Sequence, residues 1–452
     1  MKKLILLFVI SAAACACSTS KKTAGPTTVI TEKGLLLNGP IHYTAGIPCY
    51  NSTNITYKRS DNAIFKASFK SPVLIDVAKQ PEKWGHFQFP DMDFRSDGIL
   101  QVKWSMKDDA MSAYGVNSYG SAVSTDKGKT WKLTDNYQDT RGLLLPNGDR
   151  IQITTPVPIK TEGLNMPPSL GESTRSDTYS KVKYRFYRLN DLPANCQAVY
   201  LKRLKKGTSA WVEEQDKLTD PNAVRHTTSG VLPVIWWGDM QVASDGSIIA
   251  GIYPGRYIRP DGSVGPKSEV FFYRSTDMGH TWNIQGRIFY KADNVADPHG
   301  ENRMGFTEPA FQILQDGTFL CVARTTDGLG IGPMYASYSA DMGRTWTAPD
   351  IITQNGVKPR ILKLDNGVLV LASGRPGVQL RFDVSGTGKQ WSDPFEMLPY
   401  DNEKDQVSCG YVDLVPVAKN SFLIVYSDFK YKTQAGEIRK AIKVREITID
   451  PK

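Results

Sequence analysis

Three eight-residue segments of this chain follow one pattern: Ser124-Thr125-Asp126-Lys127-Gly128-Lys129-Thr130-Trp131, Ser275-Thr276-Asp277-Met278-Gly279-His280-Thr281-Trp282 and Ser339-Ala340-Asp341-Met342-Gly343-Arg344-Thr345-Trp346. Each reads Ser-x-Asp-x-Gly-x-Thr-Trp, and a worn fourth copy ends in Gly388-Lys389-Gln390-Trp391. An internal repeat constrains the fold more than any single motif, because every copy must build the same local unit. The pattern is that of a hairpin turn. The Asp carboxylate accepts backbone N–H bonds, the Gly takes the positive φ, and the Trp opens the next strand with a large ring to bury. These Asp residues are therefore expected to be structural.

The surroundings repeat as well. Asp97-Gly98, Asp245-Gly246, Asp316-Gly317 and Asn366-Gly367 each precede a β-rich apolar run (Ile99 to Trp104, Ser247 to Ile252, Thr318 to Arg324, Val368 to Ser373). Asp-Gly and Asn-Gly between such runs signal tight hairpins. A four-stranded unit recurring around an axis is a β-propeller. Units near 86–135, 139–215, 235–290, 306–352, 357–397 and 408–447 make six, so the expected fold is all-β, a six-bladed propeller. The unit near 139–215 has lost its turn motif, and the polar stretch around 160–230 is expected to carry insertions over one face. Residues 29–80 are expected to complete or latch a blade.

The N-terminus stands apart from that domain. Lys2 and Lys3 precede a short apolar run, Leu4 to Ile10, and then the small residues of Ser11-Ala12-Ala13-Ala14-Cys15-Ala16-Cys17-Ser18. This is an export signal, too short to span a bilayer. A cysteine after small residues resembles a bacterial lipobox, with Cys15 and Cys17 both eligible for the lipid. Three segments follow: a lipoprotein signal peptide over 1–17, a flexible tether over 18–28, and the β domain over 29–452. The expected location is an exported bacterial lipoprotein, membrane-anchored through its lipid, in the periplasm or on the cell surface. The net charge of +9 is spread along the chain, with no basic block longer than Lys202-Arg203-Leu204-Lys205-Lys206. That argues against nucleic acid as a partner and suits an acidic glycan. Cys49, Cys196, Cys321 and Cys409 match no zinc spacing, so neither metal nor cofactor is expected.

Repeated turns of this kind, called Asp boxes, on a six-bladed propeller are similar to those of the sialidase superfamily, and the resemblance runs from about residue 85 to 447. That family opens its first blade with Phe-Arg-Ile-Pro, whose Arg binds the substrate carboxylate. Here the matching segment is Phe87-Gln88-Phe89-Pro90, with Gln88 in place of Arg. The amide keeps hydrogen bonding but loses the bidentate, charge-assisted grip of a guanidinium. Arg95, Lys103 and Arg256 are the cations considered as compensation.

The remaining family positions map in order. Gly305-Phe306-Thr307-Glu308-Pro309 resembles the glutamate segment, and Phe319-Leu320-Cys321-Val322-Ala323-Arg324 the second arginine. Arg375 or Arg381 answers to the third, with Arg375 preferred. Ser408-Cys409-Gly410-Tyr411-Val412-Asp413-Leu414 resembles the tyrosine segment, with Tyr426 one strand later. Lys107-Asp108-Asp109 lies where the family carries its acid/base aspartate, and both Asp109 and Asp108 qualify, with Asp109 preferred. The resemblance implies Tyr411 as nucleophile, Glu308 as its base, and Arg324 with Arg375 as an anion clamp. The chemistry is coherent: a sugar with a carboxylate on its anomeric carbon repels a carboxylate nucleophile, and a neutral phenol avoids this.

The leading expectation is thus a retaining exo-glycosidase of sialidase type that removes a terminal acidic sugar, sialic acid or a relative. A polysaccharide lyase or non-sialic glycosidase on the same scaffold is the second reading, favoured by Gln88, with His86, His226 or His299 as bases. A silent glycan-binding propeller is the third. The pair Trp236-Trp237 in Ile235-Trp236-Trp237-Gly238-Asp239 suits a pocket wall or the core equally.

Overall fold

The computed structural model describes three N-terminal strands, Thr28–Thr31, Leu36–Asn38 and Thr53–Lys58. It also describes residues 64 to 451 except 96, 111–112, 114–115, 140, 155–157, 177–180, 228–229, 232–238, 326–331, 393, 399 and 401–405. The export signal with Cys15 and Cys17, Cys49, and the pair Trp236-Trp237 lie outside the described residues. Among the described residues helix is limited to short 3-10 turns; the fold is all-β.

Strands are laid down in antiparallel groups of four, the first five groups in chain order. The first holds His86–Phe94, Leu100–Met106, Tyr119–Ser124 and Lys132–Leu133. The second holds Leu143–Leu144, Arg150–Ile153, Val199–Leu204 and Trp211–Thr219. The third runs from Met240–Val242 to Thr281–Ile288, the fourth from Phe306–Ile313 to Asp350–Thr353, and the fifth from Val357–Lys363 to Phe395–Glu396. In the sixth, Val412–Ala418, Ser421–Lys432 and Ile438–Pro451 are joined by Val73–Val77 from the N-terminal side, which pairs antiparallel with the last strand. The stretch around 160–230 supplies the outer two strands of the second group. It also supplies a separate three-stranded sheet of Gly171–Ser176, Lys181–Arg188 and Val224–Thr227.

The hydrophobic clusters lie between groups. Leu201 packs with Trp282 across the second and third, Phe272 with Phe311 across the third and fourth, and Leu320 with Leu371 across the fourth and fifth. Phe382 with Phe422 joins the fifth and sixth, and Trp104 with Val425 joins the sixth back to the first. Alternating strand residues face the two neighbours, so each group completes its core only when stacked.

The repeated turn behaves as its residues dictate. Asp126 Oδ1 accepts from Thr130 N at 2.9 Å and Ser124 Oγ at 2.8 Å, while Gly128 N donates to Ser124 Oγ at 2.8 Å. The hydrogen bond from the Thr130 hydroxyl, foremost among these, pulls the Asp126 carboxyl down to about 2. Two successive residues are left-handed in each of the three intact copies: Lys127 and Gly128 (φ 59° and 87°), Met278 and Gly279 (60° and 99°), Met342 and Gly343 (59° and 83°). This is the backbone twist that suits a tight hairpin. The Trp346 ring stacks on Phe272 of the preceding group at 4.2 Å between centroids, and Trp282 is fully buried. In the worn copy Asp383 still caps the turn, accepting from Ser385 N at 2.8 Å and Gln390 N at 3.2 Å.

The first strands of successive groups lie side by side: the fourth beside the fifth, the fifth beside the sixth, the sixth beside the first. In an antiparallel group the start of the first strand and the end of the second share one end. That is the end at which Gln88, Glu308, Arg324, Arg375 and Tyr411 occur.

Candidate active site

The first strands of three groups carry the same irregularity. Each has a bulge at a residue followed by proline: Phe89-Pro90, Glu308-Pro309 and Lys358-Pro359. The pre-proline residue is left-handed in all three, with φ of 52°, 48° and 43°. Proline disfavours helical backbone in the residue before it, and a non-glycine residue at positive φ is strained by about 1–3 kcal/mol. This backbone, repeated at equivalent positions, brings the Phe89 ring, the Glu308 carboxylate and the Lys358 N–H to one place.

That place is occupied by Tyr411, just ahead of the sixth group's first strand. Its hydroxyl donates to Glu308 Oε1. Arg324 Nη1 donates to the other oxygen, Oε2, at 2.6 Å, and the backbone N–H of Lys358 reaches the same oxygen at 3.0 Å. The Phe89 ring meets Tyr411 edge-on at 4.9 Å. Glu308 and Arg324 are both buried, at 5% and 9% exposure.

Burial alone raises the Glu308 carboxyl, but Arg324, Lys358 and the Tyr411 hydrogen bond together hold it below the usual value. Burial, then the Glu308 charge, pushes the Tyr411 phenol well above its usual value. The resting state is therefore a neutral phenol donating to an ionised carboxylate.

Arg375 is brought in by a close approach of two backbones. A Cβ on Gly374 would fall 2.0 Å from Gly410 Cα, so only glycine lets the fifth group touch the segment that carries Tyr411. Arg375 Nε donates to Cys409 O at 3.1 Å, and its guanidinium lies 5.5 Å from the Trp84 ring centre. Arg381 is buried farther down, on the third strand of that group opposite Leu371, three positions before Gly374 in the ladder. Tyr426 is fully buried in the core, paired with Val412.

Gln88 is wholly buried beside Phe89 and registers with Ser105. The three cations considered as compensation for it are engaged in other contacts. Arg95 pairs with Asp97 at 2.7 Å in the hairpin at the other end of its strand, and Arg256 donates to Gly265 O and Pro266 O. Lys103 lies 5.0 Å from the Tyr137 ring centre. The cation beside Glu308 that the sequence reading missed is Lys358, whose amine is lowered by burial. The recurring Xaa-Pro of the first strands was the signal that could have found it.

The two loop aspartates face different partners. Asp109 Oδ2 accepts from Trp84 Nε1 at 2.9 Å, whereas Asp108 Oδ1 takes Lys83 Nζ at 2.7 Å and has His86 Nε2 at 3.9 Å. The Lys83 hydrogen bond lowers the Asp108 carboxyl. His86 also meets Glu82 at 3.2 Å, and His299 caps a short turn beside Asp297.

Two residues further along the first strands comes a ring of charges that the sequence reading also missed. Asp91 pairs with Arg141 at 2.5 Å, and Arg360 pairs with Asp239 at 2.8 Å and Asp413 at 2.7 Å. Asp413 also accepts from Met92 N, and Asp239 from Phe311 N. Asp91, Arg141, Arg360 and Asp413 border an open cavity of about 460 Å³.

Elsewhere, Glu214, Asp216 and His280 bring three potential metal-ligand atoms within 4.8 Å of one another, but Arg203 Nε already holds both Glu214 oxygens at 2.9 Å. Cys196, Cys321 and Cys409 are free and buried.

No family model matches this sequence, and no curated protein matches it. Among solved structures, a protein of unknown function from Dyadobacter fermentans DSM 18053 is 18% identical over 84% of this chain and 99% of its own, with a TM-score of 0.52. The two share a fold. Trypanosoma rangeli sialidase in complex with the inhibitor DANA is 14% identical, with a TM-score of 0.40 over 84% of this chain, which spans 59% of that one. The leech intramolecular trans-sialidase is 11% identical, with a TM-score of 0.41 over 94% of this chain and 92% of that one.

Proposed function

We infer that the chain is a six-bladed propeller of sialidase type and a retaining exo-glycosidase that releases a terminal acidic sugar from a glycan. The single observation that carries this reading is the buried Tyr411–Glu308–Arg324 relay. A tyrosine whose hydroxyl is spent on a buried carboxylate, itself neutralised by an arginine, is costly for stability and makes sense as chemistry.

The steps follow from the groups. Tyr411 Oη attacks the anomeric carbon and the glycosidic C–O bond breaks. The phenol's proton passes to Glu308, and an aspartate of the Lys107-Asp108-Asp109 loop protonates the departing oxygen. With the phenol raised and Glu308 lowered, that transfer is uphill at rest; it becomes favourable as the Oη–carbon bond forms and the phenol turns acidic. In the second half the same aspartate takes a proton from water, which attacks the sugar. Tyr411 leaves and recovers its proton from Glu308. Two displacements give retention. Arg324 and Arg375 face the substrate's carboxylate and steady the charge as it moves.

Export through the N-terminal segment and lipid attachment at Cys15 or Cys17 complete the proposal, with an anionic glycan as the partner. The test is release of free sialic acid from a sialyl glycoside by the purified chain, alongside Tyr411→Phe. The reading predicts turnover that the variant loses by about 10²-fold or more. A folded protein that releases no acidic sugar from sialosides or uronides sinks it.

A further inference from the structure

The segment Lys83–His86 grips the loop that carries Asp108 and Asp109 at three points. Lys83 Nζ holds Asp108 at 2.7 Å. A Cβ on Gly85 would fall 2.2 Å from Lys107 O and 2.7 Å from Asp109 N, so the two backbones lie directly against each other. Between these contacts, the Trp84 indole N–H donates to Asp109 Oδ2 at 2.9 Å.

The same indole reaches the other way. Its ring centre lies 5.5 Å from the Arg375 guanidinium carbon, and it meets the Phe429 ring edge-on at 6.1 Å. Arg375 is fastened to Cys409 O, two residues before Tyr411, and its charge acts on the Tyr411 phenol. Trp84 thus joins an otherwise exposed loop carboxylate to the buried end of the site through one rigid ring. The guanidinium over the indole face fixes the ring's plane and with it the direction of the N–H.

We propose that Trp84 is a positioning residue: it holds Asp109, and not Asp108, as the group that protonates the leaving oxygen, and it locks that carboxylate to the anion clamp through Arg375. The role rests on the glycosidase reading above. Asp108 belongs to the scaffold of the loop, tied to Lys83 and near His86.

The test is Trp84→Phe, which keeps an aromatic face for Arg375 and removes the N–H that Asp109 accepts. An aryl sialoside has a leaving group that departs with little acid assistance; a sialyl-lactose has an alcohol that needs it. Trp84→Phe is expected to lower kcat/KM, which reports the first displacement alone, by about 10-fold on the sialyl-lactose while leaving kcat/KM on the aryl sialoside within about 3-fold. Asp109→Asn shows the same asymmetry, larger. Equal losses on both substrates overturn the proposal, since a merely structural role scales them together.

A second measurement does not need turnover. The Trp84 indole ¹⁵N–¹H resonance, assigned by its disappearance in Trp84→Phe, is expected to shift in Asp109→Asn and to stay in place in Asp108→Asn. An unmoved resonance in Asp109→Asn overturns the link itself. If the resonance moves but no glycoside is cleaved, the link stands and the glycosidase reading is what has failed.

Discussion

Glu269 offers a prediction whose size can be worked from the structure. It opens the third strand of the third group, opposite Gly255, and is only 5% exposed. Its Oε2 has no hydrogen-bond partner among the described residues. Burial, offset in part by Arg287 and Arg259, pushes its carboxyl from 4.5 up to about 7. The folded chain therefore keeps a proton that the unfolded chain releases between pH 4.5 and 7. Stability from this group is intact below 4.5, falls as pH rises through that window, and is fully lost above about 7. A shift from 4.5 to about 7, at 1.36 kcal/mol per unit, makes the cost above that pH roughly 3 kcal/mol. Glu269→Gln removes the ionisation at the expense of an amide with an unmet donor, about 1 kcal/mol. The variant should be more stable than the parent by about 2 kcal/mol at pH 8.5, and within about 1 kcal/mol of it at pH 5. Urea unfolding of both proteins at the two pH values reads this directly. A difference that is the same at pH 5 and pH 8.5 would refute the assignment of a buried, protonated carboxyl.

Other consequences follow from the site and its frame. Arg360→Met strips the shared partner from Asp239 and Asp413 and should cost about 3–5 kcal/mol in urea unfolding, more than removal of any surface pair. Asp277→Ala deletes an acceptor that serves Ser275 Oγ, Thr281 N and Thr281 Oγ1, so a loss of about 2 kcal/mol is expected, measured the same way. Arg324→Lys should lower kcat/KM on a sialoside by about 10-fold or more, because an ammonium cannot hold Glu308 and a substrate anion in one plane. A wild-type KM and kcat in that variant would exclude Arg324 from the clamp.

Much of the framework can be read along the chain because it is local. The Ser-x-Asp-x-Gly-x-Thr-Trp turn closes its hydrogen bonds within eight residues, so three intact copies announce four-stranded groups before any contact between groups is known. Glu308, Arg324 and Tyr411 are legible by resemblance for a similar reason: each sits at the end of a strand in a short recognisable segment. Lys358 and Trp84 are not. Lys358 matters only because the bulge at Lys358-Pro359 repeats those at Phe89-Pro90 and Glu308-Pro309, a pattern visible once three strands lie side by side. Trp84 matters because its ring and its N–H face residues 291 and 25 positions away, Arg375 and Asp109. The ring of Asp91, Arg141, Asp239, Arg360 and Asp413 is equally hidden, since its members come from different groups and read singly as ordinary strand charges. Gln88 has the opposite history: the sequence marked it as a departure from the sialidase pattern, and in the fold it is wholly buried at the start of the first group.

In the proposed reaction Tyr411 becomes covalently bonded to the sugar. Intact-protein and peptide mass spectrometry after incubation with a 3-fluoro sialosyl fluoride, which forms such an intermediate and releases it slowly, tests this most directly. A single adduct of one sugar is expected, mapped to Tyr411 and absent in Tyr411→Phe. A protein that cleaves sialosides yet carries no adduct, or carries it on a carboxylate such as Glu308, would contradict it.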